Sequence, residues 1–205
     1  MPSLRLQQLR ARHVGPIELN IDAGECVCIH GASGSGKTLL LRAIADLDAH
    51  AGDAYLDGQR CAQLQAPDWR RSVALVAAES HWWGEHVGEH FEGNINARWL
   101  QQLGLPDAAI DWQLSRCSTG ERQRLALLRT LMQNPAALLL DEPTGNLDQT
   151  TTYRVEELLA EYRRQRQAAV LWVSHDSRQI ERVAQRRFIL RDGRLAEEEG
   201  GLPCR

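Results

Sequence analysis

Eight residues near the N-terminus form a glycine-rich segment with the pattern G-x-x-x-x-G-K-T. It lies between the apolar residues 26–29 and a helix-forming run at 39–44. In such a loop successive backbone N–H groups point at a phosphate, and glycines allow the close approach because they lack a Cβ. The helix that follows adds the positive end of its dipole. The residues of this predicted phosphate loop are Gly31, Ala32, Ser33, Gly34, Ser35, Gly36, Lys37 and Thr38.

The last two residues of the phosphate loop carry side chains suited to a nucleotide. The Lys37 ammonium would supply a fixed positive charge for the β- and γ-phosphates, and the Thr38 hydroxyl would bind Mg²⁺. The alternative is a chance glycine-rich turn. The agreement of the spacing, both flanking elements and the Lys-Thr pair disfavours that alternative.

Two carboxylates follow an apolar run later in the chain. Residues 138–140 are all leucine, and Asp141 and Glu142 come directly after them. At the end of a buried strand, Asp141 would hold the Mg²⁺ shell through water. Glu142 faces differently and could act as a general base on a water molecule aimed at the γ-phosphate. The alternative is a strand end that simply turns into solvent. The phosphate loop earlier in the chain disfavours that alternative.

A histidine ends a second apolar run. His175 follows residues 171–173, at the end of a predicted strand where ligands bind in open α/β sheets. A lone histidine at a strand end is usually structural or exposed. If its strand neighbours the strand that ends at Asp141, His175 would lie beside the γ-phosphate and could bond that group and the attacking water.

The elements that must position these residues alternate between strands and helices. Short apolar segments separated by turn signals predict strands before residue 79. From residue 136 the alternation of strands and helices predicts a parallel sheet. The predicted strands are 17–21, 25–30, 54–56, 72–77, 136–140, 168–173, 187–190 and 194–196, and the predicted helices of the second half are 150–165 and 177–184.

The composition is that of an ordinary globular protein. The 205 residues are 43% hydrophobic and 25% charged, with a net charge of −3. No long basic stripe is present, so we expect no nucleic-acid partner. No run of about eighteen apolar residues occurs and the first residues lack a signal-peptide core, so we expect a cytoplasmic protein. Five cysteines without zinc-type spacing predict reduced thiols.

Residues 117–129 resemble the signature motif of ATP-binding-cassette (ABC) ATPases. With the phosphate loop, the carboxylates 141–142, the segment 144–148 and the turn 174–176, five motifs stand in the family's order. The resemblance implies an α/β fold with a P-loop NTPase core: a mixed, mainly parallel sheet, an N-terminal antiparallel β subdomain and a short α-helical subdomain. It also implies one ATP-binding domain over residues 1–205, with the helical subdomain at about 80–133.

The resemblance further implies that two cassettes close head to tail over two ATP molecules. Ser118 and Gly120 of one protomer would contact the γ-phosphate held by Lys37 of the other, in a homodimer or heterodimer. A serine hydroxyl and a glycine N–H at a helix N-terminus are suited to an anion in any case. Asp148 ends a segment that is similar to the family's loop between protomers, and ATP and Mg²⁺ are the implied ligands.

Three positions depart from the family's pattern. Where the family has a glutamine that reaches Mg²⁺, this chain has Ala78 and Glu79; we expect Glu79 to supply a carboxylate there, the alternative being that Ala78 occupies the position and the contact is lost. Thr119 replaces the first glycine of the signature motif. The usual aromatic residue that stacks on adenine is missing, and Arg10, Arg12 or His13 could cover the base instead.

The resemblance implies the ATP-hydrolysing subunit of a bacterial ABC transporter that powers a separate transmembrane permease from the cytoplasmic face of the inner membrane. Trp82 and Trp83 would receive that permease, unless they pack inside the helical subdomain. Two alternatives stay open: a soluble ABC ATPase that remodels nucleic acid or ribosomes, and a nucleotide-binding regulator with weakened catalysis. The transported cargo stays open too.

Overall fold

The computed structural model describes residues 3–93 and 95–198, which form two sheets with α-helices packed around them. In chain order the elements are β1 (Leu4–Ala11), β2 (Val14–Ile21), β3 (Cys26–His30), α1 (Lys37–Ile44), β4 (Ala51–Leu56), β5 (Gln59–Arg60), α2 (Ala66–Ser72), β6 (Val73–Val76), α3 (Ala97–Gln102), α4 (Thr119–Met132), β7 (Ala137–Asp141), α5 (Gln149–Arg166), β8 (Ala169–Val173), α6 (Ser177–Val183), β9 (Arg186–Arg191) and β10 (Arg194–Glu197).

The larger sheet has the strand order β10-β9-β3-β8-β7-β6. All its pairings are parallel except that of β9 with β10. Every residue of β7 and β8 is buried, which explains why these strands read as continuous apolar runs in the sequence. The predicted mixed, mainly parallel sheet is confirmed. Because β3, β8 and β7 are consecutive neighbours, their carboxyl ends meet at one edge.

The smaller sheet is antiparallel, with the order β2-β1-β4-β5, and confirms the predicted N-terminal β subdomain. Strand β1 is not among the predicted strands, because its apolar alternation breaks near Gln8, where φ is +49° and the pairing shifts register. The N-terminal half of β4 was also missed. Gly52, with φ +77°, lies opposite the same irregularity, and reading it as a turn signal hid the start of that strand.

Helix α1 packs between the two sheets. Leu40, Leu41 and Ile44 are buried there in one apolar cluster with side chains from both sheets. A second cluster covers the opposite face of the larger sheet and is formed mainly by α4 and α5 packed on β3, β7 and β8. Alternate residues of β3 enter different clusters, so Cys26 and Cys28 face the second one as buried free thiols. The phosphate loop and the strand ends are thereby fixed by packing on both sides.

The region at about 80–133 contains α3, α4 and three short 3₁₀ turns, at Val87–His90, Asp107–Asp111 and Leu114–Arg116. Trp82 packs against the second apolar cluster, whereas the side chain of Trp83 is 75% exposed. The two tryptophans therefore differ in burial. Within residues 3–93 and 95–198, no helix combines the length and apolar character needed to cross a membrane.

Candidate active site

The phosphate loop connects β3 to α1 through glycines with unusual backbone angles. Gly31 has φ +144°, and a Cβ there would collide with the carbonyl oxygen of Leu190. Gly36 has φ +101°, and a Cβ there would collide with the side chain of Val14. Only glycine fits these two positions, because L-residues with a Cβ avoid positive φ and no space is left for one.

Lys37 is the first residue of α1 and is buried, with 7% of its surface exposed. Its Nζ donates 2.9 Å hydrogen bonds to the carbonyl oxygens of Gly31 and Ala32. Burial lowers the pKa of the Lys37 ammonium, although the negative charges of Glu142 and Asp141 oppose this shift. The loop thus wraps around a cation that faces two carboxylates.

Thr38 and Asp141 meet at the floor of the site. The Thr38 Oγ1 donates a 2.8 Å hydrogen bond to Oδ2 of Asp141, which is buried at the end of β7. A hydroxyl and a carboxylate brought together in this way form the hard-oxygen donor set that Mg²⁺ prefers in proteins. These two residues therefore fit a magnesium site.

Glu142 and His175 lie side by side at the ends of the adjacent strands β7 and β8. Their Oε1 and Nε2 atoms are 3.3 Å apart. Glu142 has φ +48°, and its N–H donates to the carbonyl oxygen of Val173 at 3.1 Å. Burial raises the pKa of the Glu142 carboxyl above its usual range, although the charge of His175 opposes the shift. A half-buried carboxylate with a raised pKa is suited to accept a proton near neutral pH.

These groups line one cavity of about 280 Å³. The departure at residues 78–79 is visible here: Ala78 lies on the cavity wall, whereas the exposed Glu79 is not among its lining residues. Metal binding by Glu79 stays a prediction. The cavity is lined by Ser33, Gly34, Gly36, Lys37, Thr38, Leu39, Ala78, Asp141, Glu142, Val173 and His175.

The residues 118–120, here named the signature tip, lie outside this cavity. Ser118 is the N-cap of α4: its Oγ accepts a hydrogen bond from the N–H of Glu121, whose carboxylate bonds back to the Ser118 N–H at 2.8 Å. This capping box fixes the helix end. Ser118 and Thr119 are exposed, and Gly120 is partly exposed, with Leu147 and Asn146 beside it.

Asp148 caps α5, close along the chain to the residues that contact Gly120. Its carboxylate accepts bonds from the N–H and Oγ1 of Thr151 at 3.0 and 2.6 Å. These bonds lower the pKa of the Asp148 carboxyl. Asp148 is exposed and is not among the residues of the cavity.

Two residues near the site have positions that the sequence left open or missed. Of the three predicted adenine contacts, His13 lies beside the phosphate loop: its Nε2 is 3.3 Å from where a Cβ on Gly36 would be. Gln123, which is not among the predicted site residues, donates a 2.9 Å hydrogen bond from Nε2 to the Glu142 carbonyl oxygen. Its signal in the sequence was a polar residue on the buried, leucine-rich face of α4.

Comparison with known proteins places this geometry in a family. The profile described as ABC transporter matches residues 14–145. The chain is 39% identical over 184 residues to the aliphatic sulfonates import ATP-binding protein SsuB of Mycobacterium sp. (strain MCS), covering 88% of this chain and 74% of that protein. It is 32% identical over 196 residues to the probable iron export ATP-binding protein FetA of Escherichia coli (strain K12), covering 87% of each.

Two solved structures are similar in fold. A dimeric ATP-binding cassette in a post-hydrolysis state, bound to ADP and Pi, matches with a TM-score of 0.80 and 25% identity over 97% of this chain and 98% of that chain. A bacterial Atm1-family ABC exporter with ATP bound gives a TM-score of 0.84 at 22% identity, over 96% of this chain and 38% of that chain. This chain therefore belongs to the ABC transporter family and is one of its ATP-binding, ATP-hydrolysing subunits.

Proposed function

We propose that Glu142 is the general base of ATP hydrolysis in this chain, with His175 bonding the γ-phosphate and the attacking water. The observation that carries this proposal is the 3.3 Å contact between the two side chains beside Lys37 and Asp141 in one cavity. Glu142 takes the proton of the attacking water, and the Lys37 ammonium balances charge that develops on the phosphate oxygens.

The remaining cavity residues bind and orient the nucleotide. The backbone N–H groups of the phosphate loop face the phosphates, and the exposed turn that holds His13 lies close enough to the loop for its imidazole to cover the adenine. Thr38 and Asp141 hold Mg²⁺. When bound, this ion neutralises phosphate charge. Glu79 stays a proposed additional ligand.

Hydrolysis requires two copies of the cassette in this proposal. The signature tip carries an exposed hydroxyl and a glycine N–H at the start of α4, yet neither faces the cavity of its own chain. A second copy, arranged head to tail, would place its tip against the γ-phosphate that Lys37 binds. The exposed Asp148 would lie between the two copies. One structural neighbour is a dimeric ATP-binding cassette, which supports the pairing of two copies.

A mixture of two variants tests the composite site. Lys37→Ala removes the phosphate-binding cation, and Gly120→Asp places a carboxylate at the signature tip. Each variant alone should be inactive. Mixed in equal amounts, the two variants can pair into heterodimers with one intact site out of two, so ATPase activity should return, up to about half of the wild-type rate. No recovery on mixing would contradict the composite site.

A groove of about 660 Å³ offers the docking place for the transmembrane partner. It lies between α2, the C-terminal half of α4 and the segment that carries Trp83. Its wall combines the rings of Trp83 and Phe91 with a surplus of positive charge. The cations are Arg70, Arg71 and Arg129, against the carboxylate of Glu92. This chemistry suits a short amphipathic helix of the permease with an acidic residue. The chain would then be held at the cytoplasmic face of the inner membrane.

The buried neighbours of Trp83 keep its backbone in place. His90 Nε2 accepts 3.0 Å hydrogen bonds from the N–H groups of Trp83 and Gly84, and the guanidinium of Arg129 lies 4.5 Å and 5.0 Å from the ring centroids of Trp82 and Trp83. An aromatic ring held rigidly and left exposed is typical of an interface anchor. Relatives named for import and for export both match, at 39% and 32% identity, so the ATPase role is proposed here without a cargo or a direction of transport.

A further inference from the structure

Glu142 has a backbone conformation that must be imposed by its surroundings. Its φ of +48° lies in the left-handed region, which residues with a Cβ avoid unless their surroundings hold them there. Two backbone bonds contribute: the Glu142 N–H donates to Val173 O, and the Gly145 N–H donates to Glu142 O, both at 3.1 Å. Both bonds come from the segments that carry the active site.

A third bond comes from a different element. Gln123, on the second turn of α4, donates from Nε2 to the Glu142 carbonyl oxygen at 2.9 Å. The Gln123 side chain is 4% exposed, and among the described residues its Oε1 has no hydrogen-bond partner. An apolar side chain of similar size would avoid burying that unpaired oxygen. Packing alone therefore does not explain a glutamine at this position. The hydrogen bond that its amide N–H donates to Glu142 does explain it.

The position of Gln123 in α4 links this bond to the signature tip. Gln123 follows the Ser118 cap by five residues, about 7.5 Å along the axis of one continuous helix. A shift of the tip is therefore carried to the Gln123 amide, and from there to the backbone of Glu142.

We infer that Gln123 is a positioning residue, which holds the Glu142 backbone and couples the location of the signature tip to the orientation of the catalytic carboxylate. The inference rests on the proposed role of Glu142 as general base. In a head-to-tail dimer, the tip that contacts the ATP of one site would thereby adjust the carboxylate of the other site.

Replacing Gln123 by methionine tests the inference, because methionine keeps the volume and removes the donor. We expect kcat to fall about fivefold or more, as for the loss of one hydrogen bond in the transition state, with KM for ATP within about twofold of wild type. The inflection in the pH profile of kcat should move as well, which a purely structural role would not cause. Gln123→Leu, which also lacks the donor, is a second variant should methionine impair folding.

The matched control is Gln179→Met. Gln179 is equally buried, and its Nε2 donates 2.9 Å bonds to Thr144 Oγ1 and Glu156 Oε1 instead of the Glu142 backbone. We expect a thermal shift comparable to that of Gln123→Met, an unchanged pH inflection and a change in kcat of less than about twofold.

A second control measures dimerisation. ATP-dependent dimerisation of Glu142→Gln should be the same with or without Gln123→Met.

The outcomes separate this inference from the proposed function. Should Gln123→Met keep the wild-type kcat and pH profile while Glu142→Gln is inactive, the coupling is wrong and the general base stands. Loss of dimerisation in Gln123→Met would also overturn the inference, because the lower kcat would then result from a disturbed α4 and not from a displaced Glu142 backbone. Full activity of Glu142→Gln would instead reject the proposed function.

Discussion

The phosphate-loop cavity and the signature tip differ in how much of their chemistry is completed within one chain. In the cavity, Lys37 and Asp141 are buried and bonded by the strands and loop around them. At the signature tip, Ser118 is fixed by its own helix cap but remains exposed. The first region is a preorganised binding site, whereas the second is a preorganised surface.

This difference suggests that one region binds nucleotide within a single chain, whereas the other acts only on the nucleotide of a second chain. A site that is buried and internally bonded can bind nucleotide in a monomer, because its geometry does not depend on a second chain. An exposed helix end with a fixed hydroxyl can act on a phosphate only when another molecule brings one to it. Changes in the two regions should therefore separate binding, chemistry and dimerisation.

The largest effect is expected from Glu142→Gln. Removing a general base typically lowers the rate by about 10²- to 10⁴-fold. Because the amide keeps the size of the side chain, ATP binding and dimerisation should persist. Steady-state phosphate release and ATP affinity measure the two effects. A variant that hydrolyses ATP within about tenfold of wild type would remove Glu142 from the mechanism.

Gly120→Asp should affect dimerisation while sparing ATP binding by the monomer. A carboxylate at the signature tip would repel the phosphate of a partner, and we expect ATPase activity to fall at least about tenfold. The affinity of the monomer for ATP should remain within about twofold of wild type, in contrast to Lys37→Ala. Loss of monomer affinity in Gly120→Asp would mean that the two regions are not separate.

The pH dependence of kcat should reflect the environment of Glu142. Burial raises the pKa of this carboxyl, so the base form is lost as pH falls through a value above the usual glutamate range. The charge of His175 lowers the same pKa. His175→Gln should therefore move the inflection of kcat to higher pH. A shift to lower pH, or none, would contradict the electrostatic contact between the two side chains.

Substitutions of the two tryptophans should give the smallest effects, on stability for Trp82 and on partner binding for Trp83. Trp82→Ala removes a ring packed on the second apolar cluster and should lower the free energy of unfolding by about 1–3 kcal/mol. Trp83→Ala should change it by less than about 1 kcal/mol, because that ring is mostly exposed. Trp83→Ala should instead weaken association with the permease in pull-down from membranes. Equal loss of stability in both variants would argue for packing alone.

The sequence predicted the phosphate loop and the strand ends well, for a physical reason. Residues such as Lys37, Asp141 and Glu142 stand next to strongly apolar segments, so local pattern alone places them at the ends of buried strands. The neighbouring positions of β7 and β8, on which the contact of His175 with Glu142 depends, are set by the sheet order. From the sequence alone, the contact could be predicted only on the assumption that these two strands are neighbours.

Other features depended on tertiary contacts that no local pattern reveals. The first strand was missed because its alternation breaks at Gln8, and the amide of Gln123 was passed over because its partner is a backbone carbonyl far along the chain. The contrast between Trp82 and Trp83 follows from which ring faces the second apolar cluster. Two adjacent identical residues carry no signal of that difference.

The molar mass of Glu142→Gln in solution with ATP and Mg²⁺ tests the central claim most directly. Blocking turnover should trap two chains around two nucleotides, giving a mass near twice the 23.1 kDa of one chain, and Gly120→Asp in the same background should restore the single-chain mass. A mass of one chain with ATP bound to it would contradict the account.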